Sequence, residues 1–149
     1  MLTAITRLHA LLLEVIRLEG ATKGTVQRYH KDTNDLRIIT SEGFAPEFLS
    51  HFKNVKPFDS SCCGRAFGTG STIIISDIEK DPSFRPNLEI AKIAGFRSVK
   101  SIPVYNSKGL KTGVVSTHFK EPILSGDSNK LDAILAQLSE IIEHPEFNP

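Results

Sequence analysis

The sequence predicts an α+β domain built on a central antiparallel sheet, and three observations carry the prediction. Long runs of helical apolar spacing lie toward the two ends of the chain, over residues 2–19 and in a stretch closing near His144. Two pairs of β-type runs are each separated by a short turn-forming stretch, "KDTND" and "NSKG". Between these hairpins, short helical segments flank a further β-branched run, "TIIIS". Helix, hairpin, crossover helices, strand, helix, hairpin and helix, in that order, describe a mixed α+β domain.

The elements follow one by one. Residues 2–19 form the first helix by periodicity. "GTVQRYHKD" and "DLRIIT" pair as strands across "KDTND", and "APEFLSHFK" is a short helix with Pro46 near its start, where a missing N–H is harmless. A loop, "PFDSS", leads to the helix that holds Cys62 and Cys63, and "TIIIS" follows as a strand. "DIEKDPSFRP" is a turn-rich connector. "NLEIAKIAG" is a helix with Asn87 as its cap and Gly95 as its stop. "FRSVKSIPVY" and "KTGVVSTHF" make the second hairpin, and Ser125 to Asn129 offer caps for a last helix that ends before Pro145.

Composition narrows the function. At 149 residues and a net charge of +1, the chain fits one domain spanning 1–149 with a single core. Basic and acidic residues are interspersed without runs, so no positive field exists to collect nucleic acid. The most apolar segment, "LHALLLEVIRL", is interrupted by His9, Glu14 and Arg17, short of the roughly 20 residues of a membrane span, and it makes a poor signal peptide. A cytoplasmic location is expected, with no membrane partner.

"SCCGRAFGTG", Ser61 to Gly70, is the stretch richest in chemistry. Adjacent α-carbons lie about 3.8 Å apart, closer than the roughly 4.4–6.8 Å a disulfide prefers, so Cys62 and Cys63 are not a structural bridge. With no further cysteine and no histidine at ligand spacing, they do not complete a tetrahedral metal site. Free cysteine is usually buried, although a helix start lowers thiol pKa and leaves reactivity open. Gly68 and Gly70 follow a helix and precede a strand, the reverse of a dinucleotide fingerprint, and read as a left-handed helix cap and a loop.

"GATKGTVQRYHKDTNDLRIITSEGFAPEFLSHF", "SSCCGRAFGTGSTIIISDIEKDPSF" and "IAGFRSVKSIPVYNSKGLKTGVVSTHF" together resemble a GAF domain of the kind attached to bacterial two-component sensors. The most specific parts are Cys63-Gly64 with Ala66, Ile75 to Ile78 with Asp81-Pro82, and Gly95 to Val99 leading into "SIPV". The resemblance implies a five- or six-stranded sheet with terminal helices on one face and a small-molecule pocket, overlain by short helices, on the other. It also implies an output domain or partner signalling protein.

Strand parity selects candidate ligand-binding residues within that frame. On "SVKSIPVY", Ser98, Lys100, Ile102 and Val104 share one face, and Val99, Ser101, Pro103 and Tyr105 the other. On "VVSTHF", Val115, Thr117 and Phe119 oppose Val114, Ser116 and His118. If the more apolar faces meet the terminal helices, Ser101, Ser116 and His118 line the pocket, with Gln27 and Tyr29 as neighbours. The pocket is expected between the sheet and the segment from Phe58 to Gly95, with Cys63, Asp77 and "NLEIAKIAG" at its rim.

Three functions follow. A non-catalytic, ligand-binding sensory domain is expected first, because no set of nucleophile, base and orienting group can be assembled. Phytochrome-like members hold a bilin through cysteine, but "RPNLEIAKIAG" has none; "SNKLDA" matches only part of a cyclic-nucleotide signature. No cofactor is named by these residues. The second reading is a thiol enzyme resembling free methionine-R-sulfoxide reductase, for which "DIEKDPSFRPNLE" lacks the cysteine the resemblance calls for. The third is a dimerisation module with an empty pocket. In the first helix Ala4, Leu8, Leu11, Val15 and Leu18 form one apolar seam, while Leu2, Ile5, His9, Leu13 and Ile16 form a second, about 100° further round. The last helix has the single seam Leu131, Ile134, Leu135, Leu138, Ile141 and Ile142. Two seams need two partners, so a homodimer through residues 2–18 is expected.

Overall fold

Thr3 opens helix α1 (Ala4–Glu19) by accepting a hydrogen bond from the Thr6 amide, and Gly20 closes it in the left-handed conformation, φ 69°. The computed structural model describes residues 2–123 and 129–148. After α1 come strands β1 (Lys23–His30) and β2 (Asp35–Glu42), then helices α2 (Pro46–His51) and α3 (Cys62–Thr69) and the short strand β3 (Ile73–Ile75). The connector that follows is wound into two 3₁₀ turns, Ile78–Lys80 and Pro82–Asn87, before α4 (Leu88–Ala94). Strands β4 (Ser98–Tyr105) and β5 (Lys111–Phe119) form the second hairpin, and α5 (Asp132–Ile142) ends the core.

The five strands make one antiparallel sheet in the order β2-β1-β5-β4-β3. Strand β2 lies at one edge and β3 at the other, so the chain between them must cross a whole face of the sheet. That crossing carries α2 and α3 and builds the roof over that face. The first and last helices cover the opposite face, where Leu8, Leu12 and Val15 pack with Val26, Val115, Leu138 and Ile142. On the crossover side the core is aromatic, with Phe48, Phe52, Phe67, Phe84 and Phe96 gathered over the sheet. A register shift between Val26, opposite Thr40, and Gln27, opposite Ile38, leaves Ile39 unpaired; Ile38 packs in the crossover core and Ile39 in the helical core.

Several expectations change. The apolar stripe of α1 is centred on Leu8, Leu12 and Val15, whereas Leu11 and Leu18 are only half-buried. The second seam does not run the length of the helix: Ile16 is buried in the domain's own core, and His9 approaches Glu42 at 3.2 Å. Leu2 and Leu13 stay exposed, at 65% and 42%, with Ile5 between them half-buried. Asn87 does not cap α4 with its side chain. Its amide instead bonds the His51 ring and the Ser60 hydroxyl, tying the connector to α2 and to the loop before α3. Gly95 does stop α4, at φ 91°. Of the cap candidates for the last helix, Ser125 to Ser128 lie outside the described residues; α5 follows a 3₁₀ turn at Asn129–Leu131.

Lys100 holds an unforeseen position. It points to the helical side of the sheet, as parity requires, but its ammonium is buried 2.7 Å from Glu19 Oε1 at the end of α1, with both side chains about nine-tenths or more buried. That oxygen has no well-directed hydrogen bond, so the contact acts as a close charge pair. Lys130 approaches the other Glu19 oxygen at 3.8 Å. The Thr117 hydroxyl, opposite Lys100 on β5, is buried and unpartnered.

Candidate functional site

Alternation along the central strands sets the floor of the site. Thr25 and Gln27 of β1, Ser116 and His118 of β5, and Val99 and Ser101 of β4 turn to the crossover side, in pairs Thr25–Ser116, Ser101–Ser116 and Val99–His118. Above them Phe48 of α2 and Phe52 just past its end, one helical turn apart, descend from the roof, with Phe84 from the second 3₁₀ turn and Phe96 from the turn between α4 and β4. Cys62 and Cys63 close one wall from the first turn of α3. The space between floor and roof leaves about 30 Å³ where the centre of a water molecule can sit, room for roughly two waters.

The first turn of α3 is fixed by a small polar knot. Ser61 caps the helix by accepting from the Gly64 amide at 3.0 Å, and donates its own amide and hydroxyl to the Asp59 carboxylate. A side chain at Gly64 would collide with that carboxylate and lie 2.7 Å from the Lys56 carbonyl, so glycine is required there by close approach. Burial holds both thiols protonated. The Cys62 thiol is pushed up to about 12, and Cys63 is raised by the same desolvation, a hydrogen bond with Ser61 only partly offsetting it. Cys62 lies 3.4 Å from the Ile73 carbonyl.

His118 sits among rings, edge-on to Phe96 at 4.7 Å and to Phe44 at 4.8 Å. Desolvation lowers its pKa to about 3, so the ring is neutral, and its Nδ1 has no partner. The Gln27 side-chain oxygen is likewise buried and unpartnered. Ser101 and Ser116 satisfy one another across β4 and β5 at 2.7 Å.

Of the residues selected from sequence, Gln27, Cys63, Ser101, Ser116 and His118 come together on this cavity. Tyr29 does not reach it. It shares the face of β1 but lies beyond the cavity, stacked on Phe67 at 4.4 Å, with its hydroxyl donating to Asn34. Asp77 is also outside. The Arg97 guanidinium holds it at 2.7 Å and lowers its pKa, and its carboxylate caps the first 3₁₀ turn. No residue of "NLEIAKIAG" lines the cavity, and α2, which lies before the Phe58 boundary, supplies much of the roof. Thr25 was legible by the same parity as Gln27; the four roof phenylalanines had no such signal.

A second layer anchors the roof. Arg65 of α3 grips Asp81 through both guanidinium nitrogens, at 3.0 and 3.2 Å, and Asp81 caps the turn that carries Phe84. That bond lowers the Asp81 pKa. Among the described residues no group of three or more ligating side chains could hold a metal ion, and no helix is long and apolar enough to cross a membrane.

A family model described as GAF domain matches residues 6–143. No curated protein matches. Among solved structures, a domain of a putative two-component sensor histidine kinase from Sinorhizobium meliloti superposes with a TM-score of 0.72 at 14% identity, covering 96% of this chain and 92% of that one. The GAF domain of an Acinetobacter phosphoenolpyruvate-protein phosphotransferase gives 0.72 at 16% identity, with coverage of 97% and 85%. Free methionine-R-sulfoxide reductase from Neisseria meningitidis, solved with its substrate, gives 0.67 at 17% identity, with 95% and 76%.

Proposed function

Because the chain belongs to the GAF domain family, we propose that it is a non-catalytic sensory domain of signal transduction, which takes a small molecule into the cavity between the sheet and its aromatic roof. The observation that carries this reading is the pair of unpartnered buried polar atoms, Gln27 Oε1 and His118 Nδ1, on the wall of that cavity. A buried polar group without a partner costs about 1–3 kcal/mol, and a bound molecule that satisfies it recovers that energy. The signal passes to an output domain or a partner signalling protein, in the cytoplasm.

The reductase reading is weaker on chemical grounds. Its nucleophile is a thiolate, whereas both thiols of this chain are buried and their pKa values raised by desolvation. A sulfenic acid formed on either could be resolved only by the strained neighbouring thiol or by an external thiol. Thioredoxin-coupled turnover of free methionine sulfoxide that disappears in Cys63→Ser would overturn the non-catalytic assignment.

The binding assignment is tested by thermal shift against cyclic nucleotides, amino acids, small acids and small uncharged compounds. A ligand that binds only the folded state raises the midpoint with its concentration. The expected result is a compound with that behaviour whose effect is lost in Gln27→Leu. A homodimer through residues 2–18 belongs to the same proposal, supported by the exposed Leu2 and Leu13 on the outer side of α1.

A further inference from the structure

The cavity is polar without being charged. Its polar lining consists of hydroxyls, two protonated thiols, the Gln27 amide and a neutral imidazole. The charged groups nearest to it are each engaged elsewhere. Lys23, paired with His118 across β1 and β5, donates its ammonium to the Gly43 carbonyl at 3.0 Å. Asp59 is held by Ser61, Arg65 by Asp81, Arg97 by Asp77, and Lys100 lies on the far side of the sheet with Glu19. An anion or cation moved into this space would lose its hydration and find no charged side chain on the lining to pair with.

The unpaired groups specify what is missing. Gln27 Oε1 is an acceptor without a donor. The neutral His118 ring has one N–H and one lone pair, and its Nδ1 is buried without a partner, so it pairs with a ligand donor in one tautomer and a ligand acceptor in the other. Ser101 and Ser116 spend one hydroxyl proton on each other, which leaves one to donate to a carbonyl oxygen. The space itself holds roughly two waters, enough for a molecule of a few heavy atoms under the phenylalanine roof.

We infer that the ligand of this cavity is a small uncharged molecule with N–H or O–H donors and a carbonyl-type acceptor, the chemistry of a simple amide or urea, rather than a carboxylate, an amino acid or an inorganic anion. This rests on the sensory assignment and narrows it to one ligand class.

Matched pairs of nearly equal shape test it on the whole chain: formamide against formate, acetamide against acetate, and urea against nitrate, at millimolar concentration. Thermal midpoint and the ¹⁵N shift of the His118 imidazole are the readouts. The uncharged member of a pair is expected to raise the midpoint and move the His118 signal, with its charged counterpart at least tenfold weaker and Gln27→Leu weakening the amide about tenfold. Tighter binding of the anions that still depends on Gln27 would overturn the ligand class and leave the cavity as the binding site. Binding of either kind that is indifferent to both Gln27→Leu and His118→Phe, or no response to any member of the pairs, would overturn this inference, and the former would also remove the cavity from the sensory assignment.

Discussion

Ser101 and Ser116 lie directly opposite each other on β4 and β5, both buried, their hydroxyls 2.7 Å apart on the cavity floor. Each satisfies the other, so the two behave as one unit. Removing one hydroxyl takes away its partner's hydrogen bond; removing both leaves neither hydroxyl to satisfy. Ser101→Ala and Ser116→Ala are each expected to destabilise the domain by about 1–3 kcal/mol in urea unfolding, and the double variant by less than the sum. Additive losses would show that the pair is not a unit.

His118 makes stability depend on pH. Its folded-state pKa of about 3 lies below the ordinary value of 6.5, so between these limits the unfolded chain binds the extra proton. Stability from this group is complete above pH 6.5 and is lost as pH falls toward 3, at up to about 1.4 kcal/mol per unit. Unfolding free energies measured from pH 7.5 down to 5 should fall in the native chain and flatten in His118→Gln. His30, also lowered by desolvation, contributes in the same direction and remains in both proteins.

The buried Lys100–Glu19 pair is a strong contact only while both partners are present. Glu19→Gln alone is expected to cost about 3–5 kcal/mol, because the Lys100 charge is stranded, and Lys100→Met less, because Lys130 still stands 3.8 Å from Glu19, whereas Glu19→Leu with Lys100→Met recovers most of the larger loss. A double variant as unstable as Glu19→Gln would contradict this account.

Releasing the Arg65–Asp81 clamp should act locally. Native-state amide exchange in Arg65→Met is expected to quicken at Phe84, whose amide bonds Asp81, and to stay unchanged at Val26 in the sheet centre. Equal acceleration at both positions would mean that the clamp supports the whole domain.

The outer side of α1 gives the association test. Leu13→Glu should leave a folded monomer where the native chain sediments as a dimer; a native chain already monomeric removes the interface.

The legible part of this molecule was whatever has a short period. Alternation every two residues assigned Ser101, Ser116, His118 and Gln27 to one face, and turn chemistry placed both hairpins. Residues whose position depends on the long crossover were not readable. Phe48 and Phe84 reach the cavity because β2 and β3 sit on opposite edges of the sheet, a fact with no local signature. Tyr29 obeys the alternation but overshoots, since parity fixes a direction and not how far the cavity extends. Leu12 was passed over because the angle of a helical stripe is set by what packs on it. Asn87 looked like a cap because its type suits one, yet His51 and Ser60, distant in sequence, compete for the same amide.

The packing of α1 against α5 also imposes an order in time. Leu8, Leu12 and Val15 share a core with Leu138 and Ile142, residues made well over a hundred positions later. At about 5–20 residues per second, a ribosome leaves the first helix without its last companion for on the order of ten seconds. During that interval its apolar side can rest only on a sheet whose central strand, β5, is itself among the last to emerge. Until synthesis delivers α5, the apolar side of the first helix stays open to water or to other chains.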